Sequence, residues 1–390
     1  MKKGWQSKQI GDLCEVIAGQ SPEGKFYNSE GKGMAFYQGK KDFGKKFIEA
    51  PTTWTTQTTK IAKEGDILMS VRAPVGPVNF ATDEVCIGRG LAAIRSGSEL
   101  DRNFLFYQLL HLQPEIAGKE GAVFASINKS EIKALPLSFV PLPEQRQIVS
   151  ILDEAFDGIA TAKANAEKNL QNARALFESH LNAVFTQRGE GWVERPLGEM
   201  AMFRNGINFT KSSRGESVKI VGVKDFQQNF WAPLAGLDAV TTEGTLPDSD
   251  TLQEGDLLFV RSNGNMELIG RSILVGKVAD KITHSGFTIR ARFNCKGVVP
   301  KFVCRFLKSN TARRKMIDSG IGTNIKSLNQ ATLSSLVVPL PSTVEQTRLA
   351  KQLEAIEDET QRLESIYQRK LTALDELKKS LLHQAFSGEL

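Results

Sequence analysis

The stretch PLPEQRQIVSIL, residues 141–152, is followed half a chain later by PLPSTVEQTRLAKQL, residues 339–353. Other similar segments surround both copies. EGDILMSVR at residues 64–72 matches EGDLLFVR at residues 254–261. Further similar pairs are 5–13 with 192–200, 39–43 with 222–226, 103–110 with 301–308, 126–135 with 327–336, and 179–185 with 380–386. Because all pairs occur in the same order and only the loop lengths differ, the sequence predicts an internal duplication.

Each half divides into a globular part and a helical part. The globular parts are rich in Gly, Pro and short apolar runs of strand length, which is typical of mixed, mainly β domains with a few helices. The parts that follow them contain no Pro over residues 144–185 and 345–386. Each is expected to form one helix of about 63 Å, at about 1.5 Å per residue. Ser342 with Glu345 gives a capping-box pattern at the second helix start. The predicted segments are 1–143 (recognition domain 1), 144–188 (central long helix), 189–341 (recognition domain 2) and 342–390 (C-terminal long helix).

Both helical segments carry apolar residues at steps of four and three, which is typical of a coiled-coil seam. The second seam is bulky and runs from Leu349 through Leu353 and Leu377 to Leu381, whereas the first contains small residues such as Ala162 and Ala166. A small seam facing a bulky one predicts that the two helices pair with each other. The alternative is that each helix lies on its own domain, but a helix of about 63 Å is longer than a domain of about 140 residues is wide.

Composition limits the classes of function. The chain of 390 residues has a formal net charge of +6 and a pI of about 9.0, a mild basic excess that is compatible with a nucleic-acid partner. Its four cysteines form no CxxC pair, so neither a zinc site nor a disulfide framework is indicated. No segment reaches the roughly 18 apolar residues of a membrane span, and the N-terminus lacks the apolar run of a secretory signal. We expect a cytoplasmic protein that does not associate with a membrane.

Two similar globular domains on a pair of long helices can hold two recognition surfaces apart. At about 3.4 Å per base pair, a helix of about 63 Å corresponds to roughly 18 base pairs, a natural scale for two half-sites on one duplex. The duplicated plan, the two quoted helix starts, GDLLFVRSNG at residues 255–264 and LLHQAFSGEL at residues 381–390 resemble the specificity subunit of type I restriction-modification systems. The resemblance covers essentially the whole chain and is most specific at the starts and ends of the helices.

The resemblance implies an α+β fold: two mixed, mainly β target recognition domains separated by two long helices that form an antiparallel coiled coil, with internal pseudo-twofold duplication. It also implies that each recognition domain reads one half of a bipartite, asymmetric target in double-stranded DNA. The helices would set the half-site spacing and dock two modification (methyltransferase) subunits. Those subunits would bind S-adenosylmethionine and methylate adenine at N6, and a separate restriction and motor subunit would cut DNA. No cofactor and no catalysis are implied for this chain.

Catalytic motifs are correspondingly weak. The chain contains no Pro-Pro pair, which the base-holding element of amino-methyltransferases requires. GRGLAA at residues 88–93 fits GxGxxA, and GKKDFGKK at residues 39–46 comes close to a phosphate-binding loop. Both are lone matches, since the second half of the chain lacks the corresponding glycines. Four scattered histidines indicate neither a metal site nor a His-based triad.

DNA contacts require cations for phosphates, and Arg, Asn or Gln for base edges. Candidates of these types lie on expected loops of the globular parts, and RSNGN at residues 261–265 is the strongest stretch because it follows an apolar strand. The predicted DNA-binding residues are Gln20, Ser21, Tyr37, Gln38, Lys40, Lys41, Arg72, Arg89, Asn205, Asn208, Lys211, Arg214, Lys224, Arg261, Asn263 and Asn265.

Each candidate also has a structural interpretation. Arg72 or Arg261 could pair with a neighbouring carboxylate, and Asn263 could only support its turn. Arg72 lies eight residues past Glu64, whereas Arg261 lies seven past Glu254, and a shift by one residue reverses the face of a strand. The two arginines are therefore not expected to share one role unless a bulge intervenes.

Charged residues recur at both helix starts. The candidates for partner docking are Glu144, Gln145, Arg146, Glu345, Gln346 and Arg348. Such faces usually contact water, and common descent of the two halves explains the recurrence equally well. Two alternative functions stay open at this point: a non-catalytic, two-headed coiled-coil scaffold for protein partners, and an enzyme with an unrecognised site.

Overall fold

The structure, a computed structural model, describes residues 4–117, 126–227, 229–318 and 327–390. Contacts divide the chain into two compact units. Unit 1 comprises Met1–Glu167 and Gln368–Leu390, and unit 2 comprises Lys168–Tyr367. Each unit contains one globular part and a portion of both long helices. The four segment boundaries expected from the sequence stay a prediction, because the units follow spatial contacts and not helix ends.

The globular part of unit 1 combines two larger sheets. Its strands are β1 (Gln6–Gln9), β2 (Cys14–Ala18), β3 (Tyr27–Asn28), β4 (Met34–Tyr37), β5 (Trp54–Thr55), β6 (Ile61–Ala62), β7 (Ile67–Ser70), β8 (Val78–Phe80), β9 (Val85–Ile87), β10 (Leu91–Ser96) and β11 (Pro136–Phe139). Its helices are α1 (Ile10–Leu13), α2 (Arg102–Ile116) and α3 (Lys129–Lys133). One sheet has the order β2-β10-β7-β8 and is antiparallel, and the other has the order β3-β5-β4-β9-β6 with β4 and β9 parallel. Strands β1 and β11 form a separate antiparallel pair.

The long helix α4 (Leu142–Thr186) leads into unit 2. The strands of unit 2 are β12 (Val193–Pro196), β13 (Ala201–Asn205), β14 (Ser217–Val221), β15 (Asp238–Thr241), β16 (Leu257–Val260), β17 (Ser272–Leu274), β18 (Ile282–His284), β19 (Thr288–Phe293) and β20 (Val337–Leu340). Its helices are α5 (Pro300–Lys308), α6 (Asn310–Asp318), α7 (Gln330–Ser335) and the first part of the second long helix, α8 (Thr343–Ser387). The sheets have the orders β13-β19-β16-β17, β15-β14-β18 and β12-β20.

The predicted duplication is confirmed by topology and register. The antiparallel sheets β2-β10-β7-β8 and β13-β19-β16-β17 place equivalent strands in the same order, and the pair β1-β11 corresponds to β12-β20. Within these sheets Ile67 lies opposite Ile94, as Leu257 lies opposite Ala291. The fold is therefore α+β, with two mixed, mainly β globular parts of common plan.

The repeated EGD sequence forms the same turn in both units. Gly65 and Gly255 have φ angles of +83° and +89°, a conformation that favours glycine. The Asp66 carboxylate accepts the Lys63 N–H at 2.8 Å and receives the Arg95 guanidinium from β10 at 2.7 and 2.9 Å. In unit 2 the Asp256 carboxylate likewise accepts from the Gln253 N–H at 2.8 Å and from the guanidinium of β19 at 2.7 and 2.8 Å. A buried carboxylate with several such donors ties the start of the central strand to its neighbour.

One inner strand of each four-stranded sheet, β7 in unit 1 and β16 in unit 2, is buried on both faces. In β7, Ile67 and Met69 pack in a core with α2, while Leu68 packs with Ile87 and other residues of the mixed sheet. In β16, Leu257 and Phe259 face the core that contains α5, and Leu258 faces the opposite core. A continuous apolar run of strand length is the sequence pattern of such a strand, as the sequence indicated.

In unit 1 the two long helices run antiparallel. Lys163 of α4 forms an ion pair with Asp375 of α8 at 2.7 Å, and the ammonium of Lys378 lies 5.0 Å from the centroid of the Phe156 ring. Higher numbers on one helix thus meet lower numbers on the other. The expected seam is not maintained throughout, since the Leu377 side chain is 47% exposed. Lys378 contacts α4 there instead, because its aliphatic stem and charge cover an aromatic ring.

In unit 2 the helices also contact each other. Arg174 of α4 lies 3.1 Å from the carboxylate of Glu364 of α8, and Leu181 and Leu353 share one core with α5. At the start of α8 the Ser342 hydroxyl accepts the Glu345 N–H at 3.3 Å, which is one of the two bonds of the predicted capping box. The Glu345 carboxylate accepts from Arg348.

Equivalent contacts between the long helices and the globular parts differ in chemistry. In unit 1, Tyr107 of α2 packs edge-on against Phe156 of α4, with ring centroids 5.3 Å apart, and its hydroxyl donates to Asp153. In unit 2 the corresponding residues are Arg305 and Glu357, joined by an ion pair at 2.6 Å. Arg305 is only 1% exposed, and its Nε and Nη1 atoms have no hydrogen-bond partner. The ion pair therefore has a desolvation cost that the aromatic contact lacks.

Candidate nucleic-acid interface

Four of the predicted residues of unit 1 come together at one cleft. Gln38, Lys40, Arg72 and Arg89 line a cleft of about 350 Å³, whose other walls are main chain and small residues. Gln38 directly follows β4, Lys40 begins the 3₁₀ turn that comes next, Arg72 lies two residues past the end of β7, and Arg89 lies on the turn between β9 and β10. Three loops that are distant in sequence therefore place two guanidinium groups, an ammonium group and an amide on one surface.

The cations of this cleft are available for an external anion. In the part of the chain that the structure describes, no carboxylate lies within ion-pair distance of Arg72, Arg89 or Lys40, and all three are exposed. The alternative in which Arg72 pairs with a neighbouring carboxylate is therefore not realised. Exposed, unpaired cations beside an amide can bind both phosphate oxygens and base edges.

Three neighbouring candidates have other contacts. The Ser21 hydroxyl accepts the Arg89 N–H at 3.2 Å and so supports the turn that carries this arginine. Gln20 is fixed through its main chain, which donates to the Ile87 carbonyl at 2.9 Å, while its side chain is exposed. The ammonium of Lys41 contacts the Thr52 hydroxyl at 3.3 Å and does not line the cleft.

The prediction that Tyr37 binds DNA is wrong. Its side chain is 2% exposed and packs in the core of the mixed sheet, and its hydroxyl donates to the Glu49 carbonyl at 2.8 Å. Burial, followed by the charges of Asp42 and Asp83, raises the pKa of Tyr37 to about 12. A satisfied, buried phenol has no group left for DNA, because β4 places this residue on its inward face.

Equivalent turns form a cleft in unit 2. Lys224 and Asn263 line a cleft of about 520 Å³ together with Gln227, Leu268 and Arg271. Lys224 lies in the GVKDF segment, which corresponds to GKKDF in unit 1, and Asn263 lies on the turn after β16, although not at the position equivalent to Arg72. Here the cations are already engaged: Lys224 pairs with Asp238, and Arg271 Nη1 donates to the Gln227 carbonyl at 2.6 Å.

Sequence reasoning missed Arg271. A signal was present, because this arginine directly precedes the apolar strand β17 and so lies at a strand end of the same sheet that carries the 261–265 turn. Its side chain also approaches the Glu267 carbonyl at 3.3 Å.

The remaining candidates of unit 2 fall into two groups. Asn263 and Asn265 support their own turn, since their side-chain oxygens accept main-chain N–H groups two residues ahead, at 2.8 and 2.9 Å. The Asn205 oxygen accepts from the Gln330 amide at 3.1 Å. By contrast, Asn208, Lys211 and Arg214 are exposed on the segment between β13 and β14.

Arg72 and Arg261 are not equivalent, as their different spacing from the EGD turns predicted. The Arg261 N–H donates to the Phe287 carbonyl, and the Arg261 carbonyl accepts from Leu328, both at 2.9 Å. In unit 1 the residue with this pair of bonds is Val71, at 3.0 Å to its partners in both cases. Arg261 is thus equivalent to Val71, and Arg72 is equivalent to the following residue of unit 2.

Under the 285–287 turn of unit 2 lies His284, which is 1% exposed. Its Nδ1 lies 2.9 Å from the Thr288 hydroxyl, and that hydroxyl donates to the Ser285 carbonyl. Nδ1 therefore carries the proton that it donates to Thr288. Burial first, and then the positive charges of Arg290 and its neighbours, lower the pKa of His284 to about 3. A neutral histidine in this position serves the fold and not an acid–base reaction.

The prediction of partner docking is wrong for two of the six candidates. Gln145 and Gln346 are both fully buried. Gln145 accepts the Asp101 N–H at 2.7 Å and donates to the carbonyls of Glu99 and Val140 at 3.0 and 2.7 Å. Each glutamine bonds a loop of its own globular part to the start of the long helix, so neither is accessible to a partner.

Gln346 repeats this set of bonds in unit 2. Its Oε1 accepts the Val299 N–H at 2.8 Å, and its Nε2 donates to the carbonyls of Gly297 and Pro341 at 3.0 and 2.9 Å.

The other charged residues at the helix starts face outward. Glu144, Arg146 and Arg348 are exposed, and Glu345 is half-buried. Arg348 forms a two-bond ion pair with Glu345, at 2.7 Å for both contacts, which lowers the pKa of the carboxyl and raises that of the guanidinium. This surface is available for docking but does not by itself identify a partner.

The described residues contain neither a grouped set of metal-ligating side chains nor a helix suited to a membrane. Within 4–117, 126–227, 229–318 and 327–390, no three His, Cys, Asp or Glu side chains are grouped so that they could hold a metal ion. Over the same residues no helix has the length and apolar character needed to cross a membrane.

Sequence comparison identifies relatives of one kind. A protein of Methanocaldococcus jannaschii named as the type I restriction enzyme MjaX specificity subunit is 38% identical over 44% of this chain and 40% of its own length. The type I restriction enzyme EcoKI specificity subunit of Escherichia coli is 25% identical over 69% of this chain and 61% of its own length. These matches span less than two thirds of either curated relative.

Structure comparison gives the same fold. A chain solved in work on complex assembly and conformational transition of the type I R-M system superposes with a TM-score of 0.82 and 16% identity, covering 100% of this chain and 99% of that one. The HsdS subunit from Thermoanaerobacter tengcongensis gives 0.65 and 15%, covering 100% and 98%. The Type I restriction modification DNA specificity domain family matches residues 2–171 and 189–371, and the chain belongs to this family.

Proposed function

We propose that this chain is the sequence-specific DNA-binding subunit of a type I restriction-modification complex, in which each globular part reads one half of a bipartite, asymmetric target. The observation that carries the proposal is the repeated cleft. In both units, the GKKDF or GVKDF turn and the turn after the EGD strand place cationic and amide side chains on one surface, although the individual residues that line the two clefts are not at equivalent positions. Such residue types at duplicated turns suit two half-sites of one duplex.

The long helices supply the partner role in this proposal. They would fix the spacing between the half-sites and dock two modification subunits, which would bind S-adenosylmethionine and methylate adenine at N6. A restriction and motor subunit would complete the complex, which would act in the cytoplasm. This chain would contribute recognition and no catalysis, and it would need no cofactor of its own.

The first experiment is single-molecule sequencing of N6-methyladenine in DNA from cells that express this chain with its modification subunit. We expect a split motif with a fixed gap, with one half assigned to each unit. Modification of a continuous short motif would contradict the two-part recognition. Modification that does not depend on this chain, with both proteins shown to be present and folded, would favour a coiled-coil scaffold that binds only proteins.

A second experiment tests the cleft of unit 1. Arg72→Ala should weaken specific binding of the assembled complex roughly 5- to 150-fold if Arg72 contacts a base, with relaxed preference at one position, or reduce the salt slope by about one if it contacts a phosphate. Lys63→Ala is the matched control, because Lys63 is also exposed and cationic but lies at the opposite end of β7. Equal behaviour of the two variants would remove the cleft from the proposed interface.

A further inference from the structure

The turn between β18 and β19 has a rigid main chain. The Gly286 N–H donates to the Ile207 carbonyl at 2.8 Å, and the Thr288 N–H donates to the Ser285 carbonyl at 2.8 Å. The Phe287 N–H donates to the Ser285 hydroxyl at 3.3 Å, and its carbonyl accepts the Arg261 N–H at 2.9 Å. Bonds within the turn and to two other segments fix the direction in which the side chain of residue 287 leaves the turn.

That side chain is exposed phenylalanine. Phe287 is 63% exposed, the largest fraction for any Phe or Trp among the described residues. A single exposed apolar side chain is common on protein surfaces and requires no explanation by itself. Phe287 differs because its main chain is held on all sides, so the ring cannot reach a core position by a local rearrangement of the turn.

Two of the predicted DNA-binding residues, Asn208 and Arg261, adjoin this turn. A Cβ atom on Gly286 would be only 2.2 Å from the Oδ1 of Asn208, so the amide of Asn208 lies directly against the turn. Arg261 is bonded to Phe287 through the main chain. In the major groove, Asn suits adenine and Arg suits guanine, while the only apolar group on a base edge is the methyl group of thymine. The residue types that adjoin this turn, an asparagine, an arginine and a phenylalanine, match these three kinds of target.

We propose that Phe287 contacts the 5-methyl group of a thymine in the half-site that unit 2 reads, and so selects an A·T pair at that position. This inference rests on the proposed function of the chain. An adenine that is methylated in each half-site would ensure that a thymine is present opposite it.

The equivalent turn of unit 1 cannot make this contact. Its counterpart of Phe287 is Gly90, whose carbonyl accepts the Val71 N–H at 3.0 Å. A Cβ atom on Gly90 would be 2.3 Å from the Gln38 carbonyl oxygen, so no side chain fits there. The methyl contact is therefore specific to the half-site of unit 2, which provides an internal control.

The test uses the complex assembled with its modification subunits and a duplex that carries the motif found by methylation sequencing. Each thymine is replaced in turn by deoxyuridine, which lacks the methyl group. At one position in the half-site of unit 2, wild type should bind about fourfold more weakly, equivalent to about 0.8 kcal/mol for one buried methyl group. Phe287→Ala should bind the thymine duplex at least fourfold more weakly and should not respond to deoxyuridine at that position.

Two further variants make the result interpretable. Phe287→Leu keeps an apolar side chain and should retain part of the response to deoxyuridine. Val193→Ala removes exposed apolar atoms from β12 and should respond as wild type does. Deoxyuridine in the half-site of unit 1 should not distinguish wild type from Phe287→Ala.

The inference is overturned if wild type binds all deoxyuridine duplexes equally, or if Phe287→Ala keeps the full response. If Phe287→Ala loses affinity while wild type does not respond to deoxyuridine at any position, and only wild type brightens a 2-aminopurine in the half-site, the ring inserts between bases and the inference is wrong. A wild-type complex that does not prefer the motif over an unrelated duplex would refute the proposed function itself, which is a different outcome.

Discussion

Replacing Gln346 by leucine should destabilise unit 2, although this residue stands in a charged stretch at a helix start. The amide of Gln346 is fully buried and makes three hydrogen bonds, with the Val299 N–H and with the carbonyls of Gly297 and Pro341. Leucine has nearly the same volume and can occupy the site, but it can form none of these bonds. The bonds connect the loop before α5 to the start of α8, so their loss loosens the joint between the globular part and the helix.

The loss of unfolding free energy in this variant can be derived from the surroundings of the three main-chain groups that Gln346 bonds. Pro341 is buried, so its carbonyl loses a partner that water cannot replace, at a cost of about 1–3 kcal/mol. Val299 and Gly297 are partly or fully exposed, and hydration limits their loss to about 0.5–1 kcal/mol each. The variant should therefore lose about 2–5 kcal/mol, a large fraction of the stability of a typical domain.

Native-state hydrogen exchange under increasing urea measures this loss for each unit separately. Protection of the α5 amides in unit 2 should fall, while protection of β7 and α2 in unit 1 should not change. Gln352→Leu is the matched control, because Gln352 is exposed on the same helix. If Gln346→Leu costs less than about 1 kcal/mol, or no more than the control, the three bonds do not hold the joint and Gln346 returns to the candidates for docking.

Two other predictions concern unit 2. Glu357→Phe removes the ion-pair partner of the buried Arg305 and should lower the free energy of unfolding in urea by about 3–5 kcal/mol. Adding Arg305→Tyr recreates the Tyr107–Phe156 contact of unit 1 and should restore most of that loss. A double variant that is no more stable than the single one would contradict this. The pKa of His284 is lowered from 6.5 to about 3, so the unfolded state binds a proton that the folded state does not, and stability should fall by about 1.4 kcal/mol per pH unit as pH falls through this range. His284→Asn should lack this part of the slope in acid unfolding, and an unchanged slope would refute the assignment.

The plan of the fold could be predicted because it depends on patterns that extend over many residues. The repeated segments, the absence of proline over the helical stretches and the apolar runs of β7 and β16 each have one simple structural solution. The seam near Leu377 could not be predicted in detail, because a long lysine stem over Phe156 can replace an apolar seam residue. Heptad spacing does not show such an exchange.

The two glutamines at the helix starts show where the site prediction failed. Between Glu and Arg, a glutamine indicates a solvent-exposed face. The helical period gave the opposite signal, since Gln145 lies three residues before Ile148 and seven before Leu152, and Gln346 has the same spacing to Leu349 and Leu353. Both glutamines thus share the buried face of their helix. Tyr37 failed for a related reason, because the two faces of a short strand cannot be assigned without its partners.

The positions that match in the two units and the positions that differ have different physical roles. Asp66 and Asp256 each hold an arginine and a turn, and Gln145 and Gln346 each hold three main-chain groups. A change of one member of such a buried network leaves its partners unsatisfied, so these groups cannot vary one at a time.

At the clefts, by contrast, side chains of equivalent position have few internal partners. Arg72 corresponds to a serine, and Gly90 corresponds to Phe287. Exchange of the exposed Arg72 for serine costs little folding free energy, while it changes which phosphate or base edge the turn can contact. At Gly90 no side chain fits, so the turn of unit 1 has no counterpart of the Phe287 ring. Unit 1 presents unpaired cations, whereas the Lys224 ammonium of unit 2 must leave Asp238 before it binds a phosphate. Two copies of one scaffold therefore present different chemistry at equivalent turns, which is the physical reason to expect an asymmetric target and a weaker salt dependence of the contacts made by unit 2.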